Sequence, residues 1–262
     1  MYALAVLRLR EKAAMAFTPF IDDLGFVVAL ILAGAVVLSY TAIRVFMSLL
    51  RNEPGQLRAA LKASGVPTGF IGVVSLLLGL WTEFTWPYLL SDGLGSYDIF
   101  FGDVVTLFGM VMLVYAVVAY FGLKLEYAGL FGFVAGVMTG WYGYWGYTTL
   151  VAPGQLGLTK NPLETFLLYG AFGMAGVMSL PASLIVDWYL DHPGPTFARL
   201  RLSLRPASER AETDTASTGG RYCLPVYVYL LTIWFPIFMV LAAIAAWFYI
   251  GDILPGHLTS PP

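Results

Sequence analysis

LFGMVMLVYAVVAYFGLKLEYAGLFGFVAGVMTGWYGYWGYTT, residues 107–149, is the stretch that decides the fold. It holds two apolar runs, 107–123 and 127–149, and the hinge at 124–126 between them carries its only formal charges. An apolar run of about 20 residues matches a hydrocarbon core roughly 30 Å thick. A helix satisfies its own backbone polar groups, so it is the structure that such a run adopts in lipid. The stretch therefore predicts a membrane-spanning helical hairpin.

Small residues recur along the second arm of this hairpin. Glycines spaced by three or four residues lie on one face of a helix and let another backbone approach closely. A second face of this kind is predicted in the fifth span. The glycines predicted to pack helices are Gly129, Gly132, Gly136 and Gly140 in the hairpin, and Gly170 and Gly173 in the fifth span.

The composition agrees with a membrane protein that contacts lipid. The chain is 59% hydrophobic and only 11% charged, with a mean hydropathy of +0.77, which is too apolar for an ordinary soluble domain. The net charge of −2 argues against nucleic acid as a partner. The chain has one cysteine, and its two histidines, His192 and His257, lie outside the apolar runs, so no disulfide framework, metal site or cofactor is expected.

We predict an all-α, polytopic membrane protein, a bundle of six transmembrane helices with glycine-rich packing faces. Residues 1–23 are assigned to an interfacial segment, and residues 24–190 to the first five transmembrane helices. Residues 191–222 are assigned to a flexible basic cytoplasmic loop, because this segment is polar and low in complexity. The sixth helix is expected at 223–250, and a short tail at 251–262.

Two connections and one proline have specific expectations. A polar linker carrying Arg51, Arg58 and Lys62 is expected before the second span at 66–90. Residues 91–101 are expected to form a turn-rich loop. Pro181 should kink the fifth span or free a backbone carbonyl.

The basic residues set the expected orientation. Six spans place both termini on the same side, and cytoplasmic loops collect Lys and Arg. With the termini outside the plasma membrane, the cytoplasmic loops hold most of the basic residues, which are Arg44, Arg51, Arg58, Lys62, Lys124 and those within 199–221.

This orientation gathers acidic and aromatic residues on the outer side. The outer acids are Glu83, Asp98 and Asp103, and Asp103 lies at the edge of an apolar run, where an ionisable group is costly unless it faces a bundle interior or a wet cavity. On one interpretation, these acids and the aromatic end of the fourth span together form a vestibule. On the other, they are solvated acids beside an ordinary interfacial belt.

No catalytic motif is present, and no catalytic residue is assigned. The aromatic residues are the remaining candidates, because a ring offers an apolar face and Tyr or Trp adds one polar group. They either line a narrow path for flat neutral solutes or belong to the core and the lipid-facing surface. The candidates are Trp141, Tyr144, Trp145, Tyr169, Phe172 and Trp234, with Thr232.

Short motifs resemble two families. SYDIFFGD at 96–103 and GLTKNP at 157–162 resemble an uncharacterised integral-membrane family, a domain of unknown function common in acid-loving archaea. The chain more distantly resembles the six-span urea/amide channel family, which includes the proton-gated urea channel of acid-tolerant bacteria. That second resemblance is carried, in the family's order, by LFG at 107–109, FGL at 121–123, LGLT at 156–159 and LTIWFP at 231–236.

The second resemblance implies a hexamer in which each protomer passes urea or short amides through its own six helices. It implies that Trp234 forms an aromatic constriction and that Thr232 makes a polar contact. Val228 stands where that family has a glutamate, and the outer loops lack histidines. The resemblance therefore does not extend to urea selectivity or to gating by histidine.

Three functions follow from these patterns. The first is a passive channel for a small neutral solute such as urea, an amide or a protonated weak acid, and not an enzyme. The second is an accessory subunit of a larger membrane complex, whose glycine faces pack on partner chains. The third is a membrane enzyme in which Glu83, Asp98 and Asp103 bind a divalent cation. The expected partners are lipid and either copies of the same chain or other membrane subunits.

Overall fold

A computed structural model of the chain describes residues 23–85, 95–150, 162–192 and 226–259. The described residues form α-helices, two pairs of which are joined by short described turns, and contain no strand. The helices are α1 (Asp23–Arg51), α2 (Pro54–Thr85), α3 (Gly95–Phe121), α4 (Glu126–Leu150), α5 (Pro162–Asp191) and α6 (Val226–Thr259). The predicted interfacial segment and nearly all of the predicted basic loop lie outside the described residues.

Five of these helices, all except α4, are long and apolar enough to cross a membrane. Many large apolar side chains on them are exposed, as expected of a surface that faces lipid. Helix α4 is less hydropathic because its 25 residues include six glycines, four tyrosines and two tryptophans. The prediction of an all-α membrane protein with six helices is therefore confirmed for the described residues. The prediction of six apolar spans is confirmed for five of the six helices.

The six helices form a ring in chain order. Each helix packs against the next one, and α6 closes the ring by packing against α1. The most extensive interfaces join α2 to α3 and α4 to α5. Because consecutive helices run in opposite directions, one end of the ring carries the α1–α2 and α3–α4 turns with Arg58, Lys62 and Lys124. We call this the basic end, and the opposite end, with Glu83 and Asp103, the acidic end.

Three predicted boundaries were wrong because helices extend beyond the apolar runs. Helix α2 begins at Pro54, so Arg58 and Lys62 belong to the helix and not to a linker. Leu57 and Leu61 in this extension are buried against α3 and α5, which makes the extra turns amphipathic. Helix α3 begins at Gly95 and not after residue 101, because buried Phe100 anchors its first turns. Helix α6 continues to Thr259, so most of the predicted tail at 251–262 is helical.

The two turns at the basic end share one helix-terminating conformation. Asn52 and Gly122 both have positive φ angles, of 59° and 68°. In each turn the following N–H donates to a carbonyl five residues earlier, from Glu53 to Ser48 and from Leu123 to Val118, both at 2.9 Å. This is the Schellman pattern, in which a left-handed residue ends the helix. The hinge predicted at 124–126 therefore begins at Gly122.

A carboxylate from α5 fixes the start of α4. The side chain of Asp187 is 8% exposed, and its two oxygens accept hydrogen bonds from the backbone N–H groups of Leu125 at 2.9 Å and Glu126 at 2.7 Å. A negative charge at a helix N-terminus is favourable, because the first N–H groups have no partner within the helix. Nearby, exposed Lys124 lies 3.4 Å from Asp191, measured from Nζ to Oδ2, and this acid raises the pKa of Lys124.

We expect Asp187→Asn to destabilise the protein and Asp191→Asn to have little effect. The amide of the first variant removes the charge and one of two charge-assisted hydrogen bonds, which costs about 1.5–3 kcal/mol. The second variant breaks only an exposed ion pair, worth about 0–1 kcal/mol. Thermal unfolding in detergent checks both. Equal unfolding temperatures for the two variants would show that Asp187 does not anchor α4.

Candidate functional site

Glycines bring the backbones of α4 and α5 into direct contact. A Cβ on Gly136 would lie 2.6 Å from the carbonyl oxygen of Gly173 and from the nitrogen of Val177, and a Cβ on Gly176 would lie 2.6 Å from the Cα of Gly136. A Cβ on Gly129 would clash with the side chain of Ser183, and a Cβ on Gly132 with that of Ser179, both in α5. The predicted close packing is therefore confirmed for Gly129, Gly132, Gly136 and Gly173.

Two predicted packing glycines have a different environment. A Cβ on Gly140 or on Gly170 would meet no atom within 4 Å. The backbone nitrogen of Gly140 nevertheless lies 2.9 Å from where a Cβ on Gly173 would be. The backbone of Gly140 thus contacts α5, whereas a side chain added at Gly140 would point into open space. The two positions therefore differ from the other four in that an added methyl group would fit there.

A second glycine interface, which the sequence reading did not identify, joins α2 to α3. A Cβ on Gly72 would lie 2.9 Å from the nitrogen of Leu113, and a Cβ on Gly79 would lie 2.6 Å from that of Thr106. Gly109 in turn contacts the backbone of Leu76. The available signal was the spacing of Gly72 from Gly79, which is seven residues, or about two helical turns.

A central cavity of about 190 Å³ lies between the helices of the ring and is open over part of its surface. All six helices contribute to its wall, which extends from Leu49 and Leu61 near the basic end to Ile31 and Leu168 toward the acidic end. Aliphatic and aromatic side chains make up most of the wall, and none of the described residues lining it carries a charge. The hydroxyl-bearing residues of the wall are Thr41, Tyr115, Thr139, Tyr169, Ser179, Ser183 and Thr232.

Some of these hydroxyls also hold the helices together around the cavity. Ser179 of α5 donates to the carbonyl of Gly129 in α4 at 3.0 Å. Thr232 of α6 donates at 3.2 Å to the carbonyl of Pro181, which lies inside α5. Hydrogen bonds therefore connect α5 to α4 on one side of the cavity and to α6 on the other.

The structure divides the predicted path-lining residues into two groups. Tyr169, Phe172 and Thr232 line the central cavity. Trp141, Tyr144 and Trp234 lie on the outer surface, with exposed fractions of 66%, 56% and 48%, and Trp145 packs beside Phe100 with ring centroids 6.4 Å apart. None of these four lines the cavity, so they belong to the core or to the outer surface, which is the second of the two alternatives for these residues. Thr232 and Trp234 show why, since two residues along a helix turn the side chain by about 200°.

The acidic end joins three helices through polar groups. The hydroxyl of Tyr142 in α4 donates to Oδ2 of Asp103 in α3. Glu83 of α2 packs directly against Gly102, the neighbour of Asp103. The side chain of the third predicted acid, Asp98, lies outside what the structure describes. Among the described residues no group of three or more His, Cys, Asp or Glu side chains is placed to hold a metal ion.

Phe100 and Tyr169 anchor the cavity wall below this acidic end. Their rings stack with centroids 4.4 Å apart, and the hydroxyl of Tyr169 donates to the carbonyl of Phe100 at 2.9 Å. Phe100 is only 1% exposed. It belongs to the SYDIFFGD motif, which the sequence reading used only as a mark of family resemblance. The motif thus supplies a buried aromatic residue, Phe100, and an acid, Asp103, that accepts a hydrogen bond from a neighbouring helix.

The profile of one protein family, described as a protein of unknown function (DUF981), matches residues 15–201 of the chain. The match includes helices α1 to α5, and therefore most of the cavity wall. No curated protein and no solved structure matches the chain. The predicted resemblance to an uncharacterised family is confirmed by this match.

Proposed function

The chain belongs to the DUF981 family of proteins of unknown function, and we propose that it is a passive pathway for a small neutral solute through the centre of its helix ring. Urea, a short amide or a protonated weak acid is the expected kind of solute. The observation that carries the proposal is the central cavity, to which all six helices contribute. A bundle whose only task is packing has no need of a shared cavity, because interiors are normally close-packed.

The chemistry of the wall supports a neutral solute. No described lining residue is charged, so an ion entering the cavity would lose its hydration without gaining a partner. A neutral molecule loses much less hydration free energy on entering the cavity. Wall hydroxyls take the place of some of the water molecules that were hydrogen-bonded to it. An apolar cavity of about 150 Å³ accommodates benzene. A cavity of about 190 Å³ therefore suits a solute of a few non-hydrogen atoms.

The distant resemblance to urea/amide channels points in the same direction. The LTIWFP segment that carries part of this resemblance lies in α6, and its Thr232 is a wall residue. We propose that Thr232 contacts the solute. By the positive-inside rule we place the basic end in the cytoplasm and both termini outside the plasma membrane.

The outer face of α4 favours an oligomer. This helix is less hydropathic than the other five, yet it exposes Tyr127, Trp141 and Tyr144. Rings that carry a polar group suit a protein interface better than the lipid interior. We propose that copies of the chain associate through this face, in the hexamer that the resemblance to urea/amide channels implies. The same face is the observation that favours the alternative function, an accessory subunit of a larger membrane complex.

Solute uptake by purified protein in lipid vesicles tests the proposal. Stopped-flow light scattering compares urea, acetamide and glycerol uptake in proteoliposomes with uptake in protein-free vesicles of the same lipid. Faster uptake of at least one solute is the expected result. If folded, correctly inserted protein accelerates none of them, the passive pathway is wrong, and proteins that co-purify with the chain become the test of the accessory-subunit alternative.

A further inference from the structure

A second cavity, of about 410 Å³, lies at the basic end of the ring. Its wall is built from the N-terminal part of α2, the end of α3, the turn into α4 and the end of α5. Unlike the central cavity, it has charged residues in its wall, and much of its exposed lining is polar. We call it the basic pocket, after the three cations that line it, Arg58, Lys62 and Lys124.

Two acids also line the basic pocket, and both already have partners. Asp187 accepts hydrogen bonds from two backbone N–H groups at the start of α4, and Asp191 pairs with Lys124. Arg58 and Lys62 are exposed, and neither forms an ion pair with any acid that the structure describes. These two cations of α2 are therefore available to bind an anion.

The ammonium group of Lys62 is located by an aromatic ring of the same wall. Its Nζ lies 5.5 Å from the centroid of the Tyr120 ring in α3. Arg58 is four residues earlier on α2, so the two side chains leave the same face of that helix. A guanidinium binds a phosphate through two parallel N–H groups, and an ammonium adds a compact positive charge. The pair therefore suits a phosphate.

Large apolar side chains lie beside these cations. Phe121 and Leu123 line the basic pocket where α3 ends, and they are 70% and 57% exposed. Helix α3 is long and apolar enough to cross the membrane, so its last residues lie at the level where lipid headgroups meet acyl chains. A soluble anion would leave these two side chains in water, whereas the acyl chains of a lipid would cover them.

We propose that the basic pocket binds the phosphate group of an anionic phospholipid. The phosphate lies between Arg58 and Lys62, and the acyl chains extend past Phe121 and Leu123 into the bilayer. Basic pockets between transmembrane helices on the cytoplasmic side bind such headgroups, and the basic end is the end that we place in the cytoplasm. The lipid is a bound partner and not the solute of the proposed pathway.

Thermal unfolding of the full chain in a neutral detergent with added lipid tests this site. Phosphatidylglycerol is the probe. Phosphatidylcholine with the same acyl chains is its control, because the choline group brings a positive charge next to the phosphate. We expect phosphatidylglycerol to raise the unfolding temperature by at least about 5 °C, as a ligand at about a hundred times its dissociation constant does, and phosphatidylcholine by less than about 2 °C.

Two outcomes of this measurement would overturn the proposal. The first is an equal rise in unfolding temperature with the two lipids, which would show that the site does not recognise the charge of the headgroup. The second is a rise with inorganic phosphate as large as that with phosphatidylglycerol, since the anion would then need no lipid attached to it.

A matched pair of double variants locates the bound lipid. Arg58→Gln with Lys62→Gln removes the two cations that α2 contributes to the basic pocket. Arg44→Gln with Arg51→Gln removes two exposed cations of α1 at the same end of the ring, neither of which lines the pocket. Arginine, lysine and glutamine have similar helix propensities, so both double variants retain their helices.

The two double variants should respond differently to phosphatidylglycerol. We expect the variant at Arg58 and Lys62 to lose at least about half of the rise in unfolding temperature that this lipid causes, and the variant at Arg44 and Arg51 to keep all of it. Gel filtration verifies that both proteins are folded. An equal loss in the two would show that the lipid responds only to the total positive charge of the basic end, and would contradict a site in the pocket.

Discussion

Replacing Gly136 by alanine is expected to disrupt the contact between α4 and α5 and to cause a large loss of stability. The new Cβ would lie 2.6 Å from backbone atoms of Gly173 and Val177. Backbone within a helix cannot move aside as a flexible side chain can, so the two helices must separate. Overpacking costs about 1–3 kcal/mol and occasionally more, and a cost of about 3 kcal/mol corresponds to a fall of roughly 6–12 °C in unfolding temperature.

Gly140→Ala is the matched control, one helical turn away on the same helix. Its Cβ would meet nothing within 4 Å, and alanine favours a helix over glycine by about 1 kcal/mol. The control should therefore be neutral or slightly stabilising. Thermal unfolding followed by circular dichroism compares the two variants. Similar unfolding temperatures would mean that α4 and α5 do not approach each other as closely as described.

Filling the central cavity is expected to abolish solute uptake. Ala135 lies in the wall and is 7% exposed. Its replacement by phenylalanine places a ring within a space of about 190 Å³, which is comparable to the volume that one small aromatic molecule needs. Uptake in proteoliposomes should then fall to that of protein-free vesicles. The added bulk also costs about 1–3 kcal/mol of stability.

Two further variants give this test its controls. Val117→Phe adds a ring on α3, at a position 49% exposed that does not line the cavity, and should leave uptake unchanged. Ala42→Phe fills the same cavity from α1, so blocking does not depend on one site. Circular dichroism and gel filtration verify that each protein is folded. Full uptake through a folded Ala135→Phe protein would show that the solute does not pass through the cavity.

The hairpin at 107–149 shows how far the sequence specifies this fold. Its apolar runs predict two helices, and the structure places α3 and α4 there, with a turn at Gly122. Membrane thickness sets the length of an apolar run, so this part of the fold is specified by the local sequence. The helix extensions that include Leu57 and Phe100 are not specified locally, because these two residues are buried only by contacts with other helices.

The candidate site depends on how each helix is rotated. Thr232 and Trp234 are two residues apart in one motif, yet the first lines the cavity and the second faces outward. Gly136 and Gly140 have the same spacing pattern, yet only Gly136 excludes a side chain. In both pairs the residue type is compatible with either position. The crossing angle and rotation of the neighbouring helices decide between them.

The sequence by itself determined that this chain is an all-α membrane protein, that residues 107–149 form a helical hairpin, and that glycines bring helices together; the hairpin is part of the ring and does not lie at its centre. Only the tertiary structure decided that the six helices close into a ring, that a second glycine interface joins α2 to α3, and which side chains line the cavity. The physical reason is that lipid and protein interior are both apolar. Hydropathy therefore marks what is inside the membrane without telling the inward face of a helix from its outward face.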